Sequence, residues 1–167
     1  MIQKKICMLG ASGVGKTSLV QRFVKSIYSD KYHMTSGVKI DKKTLTVGDT
    51  AVTLLLWDLQ GEDHEHKIRP SFLRGASGFF VVLDRTRHET LITAFSIQQM
   101  VRNEVGDLPF FVLLNKNDLS ENFEISDSEI EEFEKNHDWK VLRTSAKSGE
   151  NVETAFFNLA EAMVSRN

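Results

Sequence analysis

A chain of 167 residues is the size of one ordinary domain and can bury a full core, and its 21 basic against 23 acidic residues leave a net charge of −2, which gives no support to nucleic-acid binding by bulk electrostatics. One cysteine, Cys7, cannot form an internal disulfide and is expected to be a small core residue, as suits a reducing, cytoplasmic setting. With two prolines, no low-complexity stretch, no signal-peptide layout and apolar runs far short of the roughly 20 residues of a membrane span, one domain over residues 1–167 is expected.

In chain order, the apolar run Ile6-Cys7-Met8-Leu9 reads as a buried strand. It leads into Gly10-Ala11-Ser12-Gly13-Val14-Gly15-Lys16-Thr17, a glycine, four residues and then Gly-Lys-Thr, which is a complete phosphate-binding loop. The glycines let successive N–H groups point into one concavity, Lys16 reaches the terminal phosphates, and the Thr17 hydroxyl is placed for Mg²⁺. Residues 17–24 read as a helix leaving the loop, so its positive dipole end adds to the anion site. The expected phosphate contacts are Ser12, Gly13, Val14, Gly15, Lys16, Thr17 and Ser18.

Residues 38–47 and 51–57 are two β-rich runs joined by the Gly48-Asp49 turn, with no room for a helix between them. They predict an antiparallel hairpin at a sheet edge. Asp58 follows the second run, with Gly61 three residues on, where a carboxylate at a strand end can hold Mg²⁺ through its waters. Further buried strands are expected at 79–83, 110–114 and 140–142. Helices are expected at 91–105, at 130–135 behind a capping box of Ser126 and Glu129, and at the end of the chain with Val152, Phe156, Leu159 and Met163 on one stripe. The alternation predicts an α/β fold: a six-stranded, mostly parallel sheet with one antiparallel edge strand and helices on both faces. Ligands of such sheets bind beyond the carboxyl ends of the strands.

Two motifs follow strand ends there. In Asn115-Lys116-Asn117-Asp118, the two oxygens of Asp118 can accept from the ring N–H and the exocyclic amine of guanine, and adenine offers no matching donor pair. In Ser145-Ala146-Lys147 the Ala146 N–H can meet the guanine oxygen.

These motifs, in this order, resemble those of the Ras-like small GTPases, with the Rab branch nearest, over essentially the whole chain. Thr35-Ser36-Gly37-Val38 is similar to that family's first switch, and Trp57-Asp58-Leu59-Gln60-Gly61 to its second. The resemblance implies the fold of a P-loop G domain that binds GTP or GDP with Mg²⁺ and hydrolyses GTP. It implies that Thr35 joins Thr17 and Asp58 around Mg²⁺ in the GTP state, that the Gly61 N–H bonds the γ-phosphate, and that Tyr28 stacks near the guanine. Loss of the γ-phosphate would release both switches, which effector and regulatory proteins read. Ile40, Trp57 and Phe72 occupy the partner-reading surface, with Ile40 in place of the usual aromatic. A monomer is expected.

Two departures matter. Glu62 stands where most of the family has glutamine, so slow intrinsic hydrolysis is expected. No cysteine lies near the C-terminus, so a lipid anchor is not expected in this chain, and any membrane association would come through a tail or partner outside it. A nucleotide-binding scaffold with negligible turnover is the alternative. A P-loop kinase or ATPase would need adenine specificity, against residues 115–118. His64-Glu65-His66 is expected to be a solvated loop, not a metal site, because only two imidazoles are present. Glu129, Glu131, Glu132 and Glu134 are expected to form a solvated helix face, and Phe110-Phe111 and Phe156-Phe157 to lie in the core.

Overall fold

The computed structural model describes residues 2–29, 35, 37–64 and 66–166, so the expectations that fall on Ser36 and Glu65 lie outside the described residues. The elements are β1 (Ile2–Gly10), α1 (Lys16–Lys25), β2 (Val38–Val47), β3 (Thr50–Leu59), β4 (Gly78–Asp84), α2 (Glu89–Val105), β5 (Phe110–Asn115), α3 (Asp127–His137), β6 (Val141–Arg143) and α4 (Val152–Ser165). Among the described residues six strands form one sheet in the order β2-β3-β1-β4-β5-β6. All neighbours run parallel except β2 and β3, an antiparallel pair with Val38 opposite Leu59 and Val47 opposite Thr50. This is the α/β architecture the alternating pattern predicts.

The strand order reverses at β1, whose neighbours are β3 and β4. The crevice outside the carboxyl end of β1 is therefore the topological switch point, and Gly10 opens the phosphate-loop motif there. β1 starts at Ile2, four residues before its apolar run, because its amphipathic beginning pairs with β3 from Ile2 opposite Val52 onward. Alternate residues of β1 feed two cores. Ile6 and Met8 pack with α1 and α4 through Phe23, Phe156 and Met163, while Cys7 and Leu9 pack with α2 and α3 through Leu91, Ile97 and Ile130.

On the first face Phe156 stacks on Phe23 at 4.0 Å between ring centroids and meets the edge of Phe80 at 4.9 Å. Truncating such a ring to alanine typically costs about 3–5 kcal/mol. Phe157 corrects the expectation that both adjacent phenylalanines are core: one residue further round α4, it is 39% exposed. Phe110 and Phe111 are half-buried at the start of β5. Cys7 is wholly buried, and burial pushes its thiol up to about 11.

Helix α3 begins as the Ser126 signal predicts, with Ser126 Oγ accepting from the Glu129 N–H at 3.2 Å. The Glu129 carboxylate meets His88 Nε2 at 2.5 Å, which joins α3 to the start of α2. Of the acidic residues on this helix, Glu131 and Glu132 are exposed, and Glu129 and Glu134 are half-buried. Among the described residues no helix is long and apolar enough to cross a membrane.

Candidate phosphate, metal and base site

Helix α1 starts at Lys16 behind Gly15, which sits in the left-handed region at φ 104°. A Cβ at Gly15 would lie 2.3 Å from Asn115 Nδ2, so glycine is required both by the backbone and by the neighbour. The helix has no side-chain N-cap bond and no acidic residue in its first turn. It thus presents N–H groups and a positive dipole end with no carboxylate in that turn to compete for them, the arrangement an anion needs. Ser18 lies half-buried in the same turn.

Lys16 is buried, and its Nζ donates to Gly10 O at 3.2 Å and Ala11 O at 2.9 Å. Burial lowers its pKa from 10.5 to about 8, with Asp58 opposing the fall and Arg87 adding to it. The ammonium therefore sits buried in the loop, held by the carbonyls of Gly10 and Ala11. Polyphosphate oxygens would supply what these carbonyls lack, a full negative charge.

Beside it, Thr17 Oγ1 donates to Asp58 Oδ2 at 2.6 Å and meets Thr35 Oγ1 at 2.7 Å. With the Thr17 proton committed to Asp58, the hydroxyl of Thr35 is the donor to Thr17. The second carboxylate oxygen, Asp58 Oδ1, is buried and has no hydrogen-bond partner among the described residues. Burial raises the Asp58 pKa, while the Thr17 bond and the Lys16 charge pull it down. A buried, unpartnered carboxylate oxygen next to two hydroxyls is a hard-oxygen donor set, so these residues fit Mg²⁺.

The segment after β3 lies against the loop. Ser12 N donates to Glu62 O and Glu62 N to Gly10 O, both at 3.0 Å, a short parallel bridge through Ala11. Gly61 makes this approach possible, since a Cβ there would stand 2.4 Å from Ser12 Cα. The Glu62 side chain turns to Lys67, with Oε1 3.1 Å from Nζ. His66 Nδ1 bonds Asp63 Oδ1 at 3.0 Å within the same turn, and His64 is exposed.

The four residues from the last of β5 onward, Asn115 to Asp118, divide their work. Asn115 Nδ2 donates to Val14 O at 2.9 Å, and its Oδ1 accepts from the Thr144 hydroxyl at 3.1 Å. Lys116 Nζ reaches Gly13 O at 3.1 Å and pairs with Asp84 Oδ2 at 2.8 Å. Asn117 faces the other way, to Arg85 and Glu150. Asp118 Oδ1 accepts from Ser145 Oγ at 2.7 Å, which brings the two motifs at the ends of β5 and β6 together. Arg22 of α1 donates through Nε to Ala146 O at 2.7 Å and through Nη2 to Lys147 O. Ala146 is buried, Lys147 is exposed, and Tyr28 is exposed in the segment after α1.

On the outer surface, Ile40 is exposed and stands opposite Trp57 in the β2–β3 register. The Trp57 ring lies 6.4 Å from Phe72, and Lys5 Nζ sits 3.5 Å over it. These side chains make one patch beside the segment that follows β3.

Three residues at the site escape the motif reading: Arg22, Asp84 and Arg87. Asp84 carries the same signal as Asp58, a carboxylate at the end of a buried strand, and could have been found by it. Arg22 and Arg87 act through carbonyl contacts across more than 70 residues of sequence, for which no local pattern exists.

Comparison with known proteins identifies the family. The Ras family model matches residues 5–165. The chain is 32% identical to Ras-related protein Rab-25 of Bos taurus over 153 residues, 91% of this chain and 72% of that protein. It is 32% identical to Ras-related protein Rab-1 of Theileria parva over 95% of this chain and 73% of that protein. Ras-related protein Rab-30 of Homo sapiens is 33% identical over 96% of this chain and 80% of that protein.

Proposed function

Because this chain belongs to the Ras family, we propose that it is a small GTPase switch that binds GTP and GDP with Mg²⁺ and hydrolyses GTP to GDP and phosphate slowly. The observation that carries the reading is the meeting of Thr17, Thr35 and Asp58, with one buried carboxylate oxygen unpartnered among the described residues. Thr35 precedes β2 and Asp58 is the next-to-last residue of β3, so a ligand seated at this point would couple the phosphate loop to both strands at the open end of the hairpin.

In this reading Thr17, Thr35 and Asp58 hold Mg²⁺, which when bound neutralises phosphate charge as a Lewis acid. Lys16 and the N–H groups of Ser12, Gly13, Val14, Gly15, Lys16, Thr17 and Ser18 bind the phosphates, and the Gly61 N–H bonds the γ-phosphate. Asp118 reads the guanine donors, while Asn115, Lys116, Ser145, Ala146 and Lys147 build the base pocket, with Tyr28 near the base. Glu62 stands near the attacking water. Catalysis is then positioning and charge stabilisation with little covalent chemistry for the protein. Residues 1–167 act as one monomeric domain in the cytoplasm, and effector and regulatory proteins read the switches through Ile40, Trp57 and Phe72.

The Lys67 contact of Glu62 favours a second reading, a nucleotide-binding scaffold with negligible turnover. Single-turnover hydrolysis of GTP on the purified protein, with saturating Mg²⁺ and with a chelator, separates the two. Slow Mg²⁺-dependent phosphate release supports the enzyme; tight GTP binding without release supports the scaffold. ATP competing equally with GTP would overturn both.

A further inference from the structure

Arg87 follows β4 and stands just ahead of α2, outside every motif that the sequence offers. Its Nη1 donates to Ser12 O of the phosphate loop at 2.9 Å, and its Nε is fixed by Glu89 Oε1 at 3.1 Å. Asp84 Oδ2 is 3.9 Å from the same Nη1. Ser12, Glu62 and Arg87 line one open cavity of about 440 Å³, so the guanidinium shares solvent space with the loop and with Glu62. Its charge is felt by Lys16, whose pKa it helps to lower.

We propose that Arg87 is a charge-stabilising arginine supplied in cis, which leaves the Ser12 carbonyl for the phosphoryl oxygens during GTP hydrolysis. The proposal rests on the GTPase reading above and deepens it. In the reaction the water oxygen bonds to the γ-phosphorus. The bond from that phosphorus to the β,γ-bridging oxygen breaks, its electron pair stays on the β-phosphate, and one water proton ends on the released phosphate. Negative charge grows on the bridging and γ-oxygens, where a rigid fork of N–H donors stabilises it more than it stabilises the ground state.

Glu62 makes such a donor necessary. A glutamine accepts from the water and donates to the phosphoryl group, whereas an ionised glutamate only accepts. Arg87 donates five N–H groups and accepts none, and its positive charge offsets that of Glu62 beside a crowded anion. Glu62 and Arg87 together thus divide what one glutamine does, and the second half comes from this chain in place of a partner.

The test uses GDP with aluminium fluoride, a mimic of the transferring phosphoryl group, and no other protein. The parent should trap the fluoride complex alone, seen as protein-bound ¹⁹F resonances. R87A and R87Q should abolish these resonances and slow single-turnover hydrolysis at least ~10-fold, with GDP affinity held within a factor of about three, while R87K should fall between. R87Q keeps a donor for Ser12 O and covers the case in which R87A does not fold. The proposal is overturned if the parent needs a partner to form the complex, if R87Q forms it as well as the parent, or if R87Q loses GDP affinity as steeply as it loses rate, which would make Arg87 a structural latch. A parent that binds no GDP at all would defeat the GTPase reading itself.

Discussion

Gly37 and Gln60 hold each other twice. The Gly37 N–H donates to Gln60 Oε1 at 3.1 Å, and the Gln60 N–H donates to Gly37 O at 2.7 Å. One residue precedes β2 and the other follows β3, and the hairpin register that sets Val38 opposite Leu59 brings them together. The segment with Thr35 and the segment with Gly61 and Glu62 are therefore one mechanical unit.

Thr35→Ala should loosen that unit only when the γ-phosphate is present. GDP affinity should stay within about twofold. With a GTP analogue, amide exchange at Gly37 and Gln60 should speed up by about tenfold or more. Equal protection of these two amides with GDP and with the analogue in the unaltered protein would rule out a switch.

Nucleotide binding should take up protons near pH 8. Free Lys16 has a pKa lowered from 10.5 to about 8 by burial, so the free fold disfavours the ammonium and its stability rises with pH between those values, where the unfolded chain binds more protons. Bound phosphates favour the charged form, so the complex holds more protons and affinity falls as pH rises through that window. Calorimetry at pH 8 in two buffers of different ionisation enthalpy should report an uptake of about half a proton. No buffer dependence would refute the placement of phosphate at Lys16.

Asp118→Ala should weaken GTP and GDP alike. It strands the guanine donors and leaves Ser145 Oγ without its acceptor at 2.7 Å. Leaving a donor unpaired costs about 1–3 kcal/mol, or roughly 5- to 150-fold in affinity. Titration of a fluorescent GDP against the variant measures this, and an unchanged dissociation constant would place the base elsewhere.

Glu62→Gln should raise the single-turnover rate, by about tenfold. The carboxylate is drawn to Lys67 at 3.1 Å and is repelled by phosphate, and a loose transition state gains little from early proton removal. Neutral glutamine loses that attraction and recovers a donor. A variant slower than the parent would mean that Glu62 works as a base.

The sheet was legible because its strands are short buried runs at regular spacing, and the hairpin because Gly48-Asp49 leaves no room for a crossover helix. Fixed-spacing motifs gave Lys16, Thr17, Asp58 and Asp118, whose partners are set by the phosphate loop and strand ends. Arg22 and Arg87 were not legible, since their partners are backbone carbonyls of distant loops. Phe157 departs from the expectation because it lies about 100° round α4 from Phe156, on a part of the helix that is 39% exposed at this residue.

Asn115 and Lys116 grip the carbonyls of Val14 and Gly13, and Arg22 grips those of Ala146 and Lys147. The part that would read the base and the part that would hold the phosphates are thus riveted from both sides. In the GTPase reading a nucleotide bridging the two halves would meet them at a fixed spacing, and its release would require both to give way. Discharged product would then remain seated until something outside prises the two halves apart, and that delay would give the switch its memory.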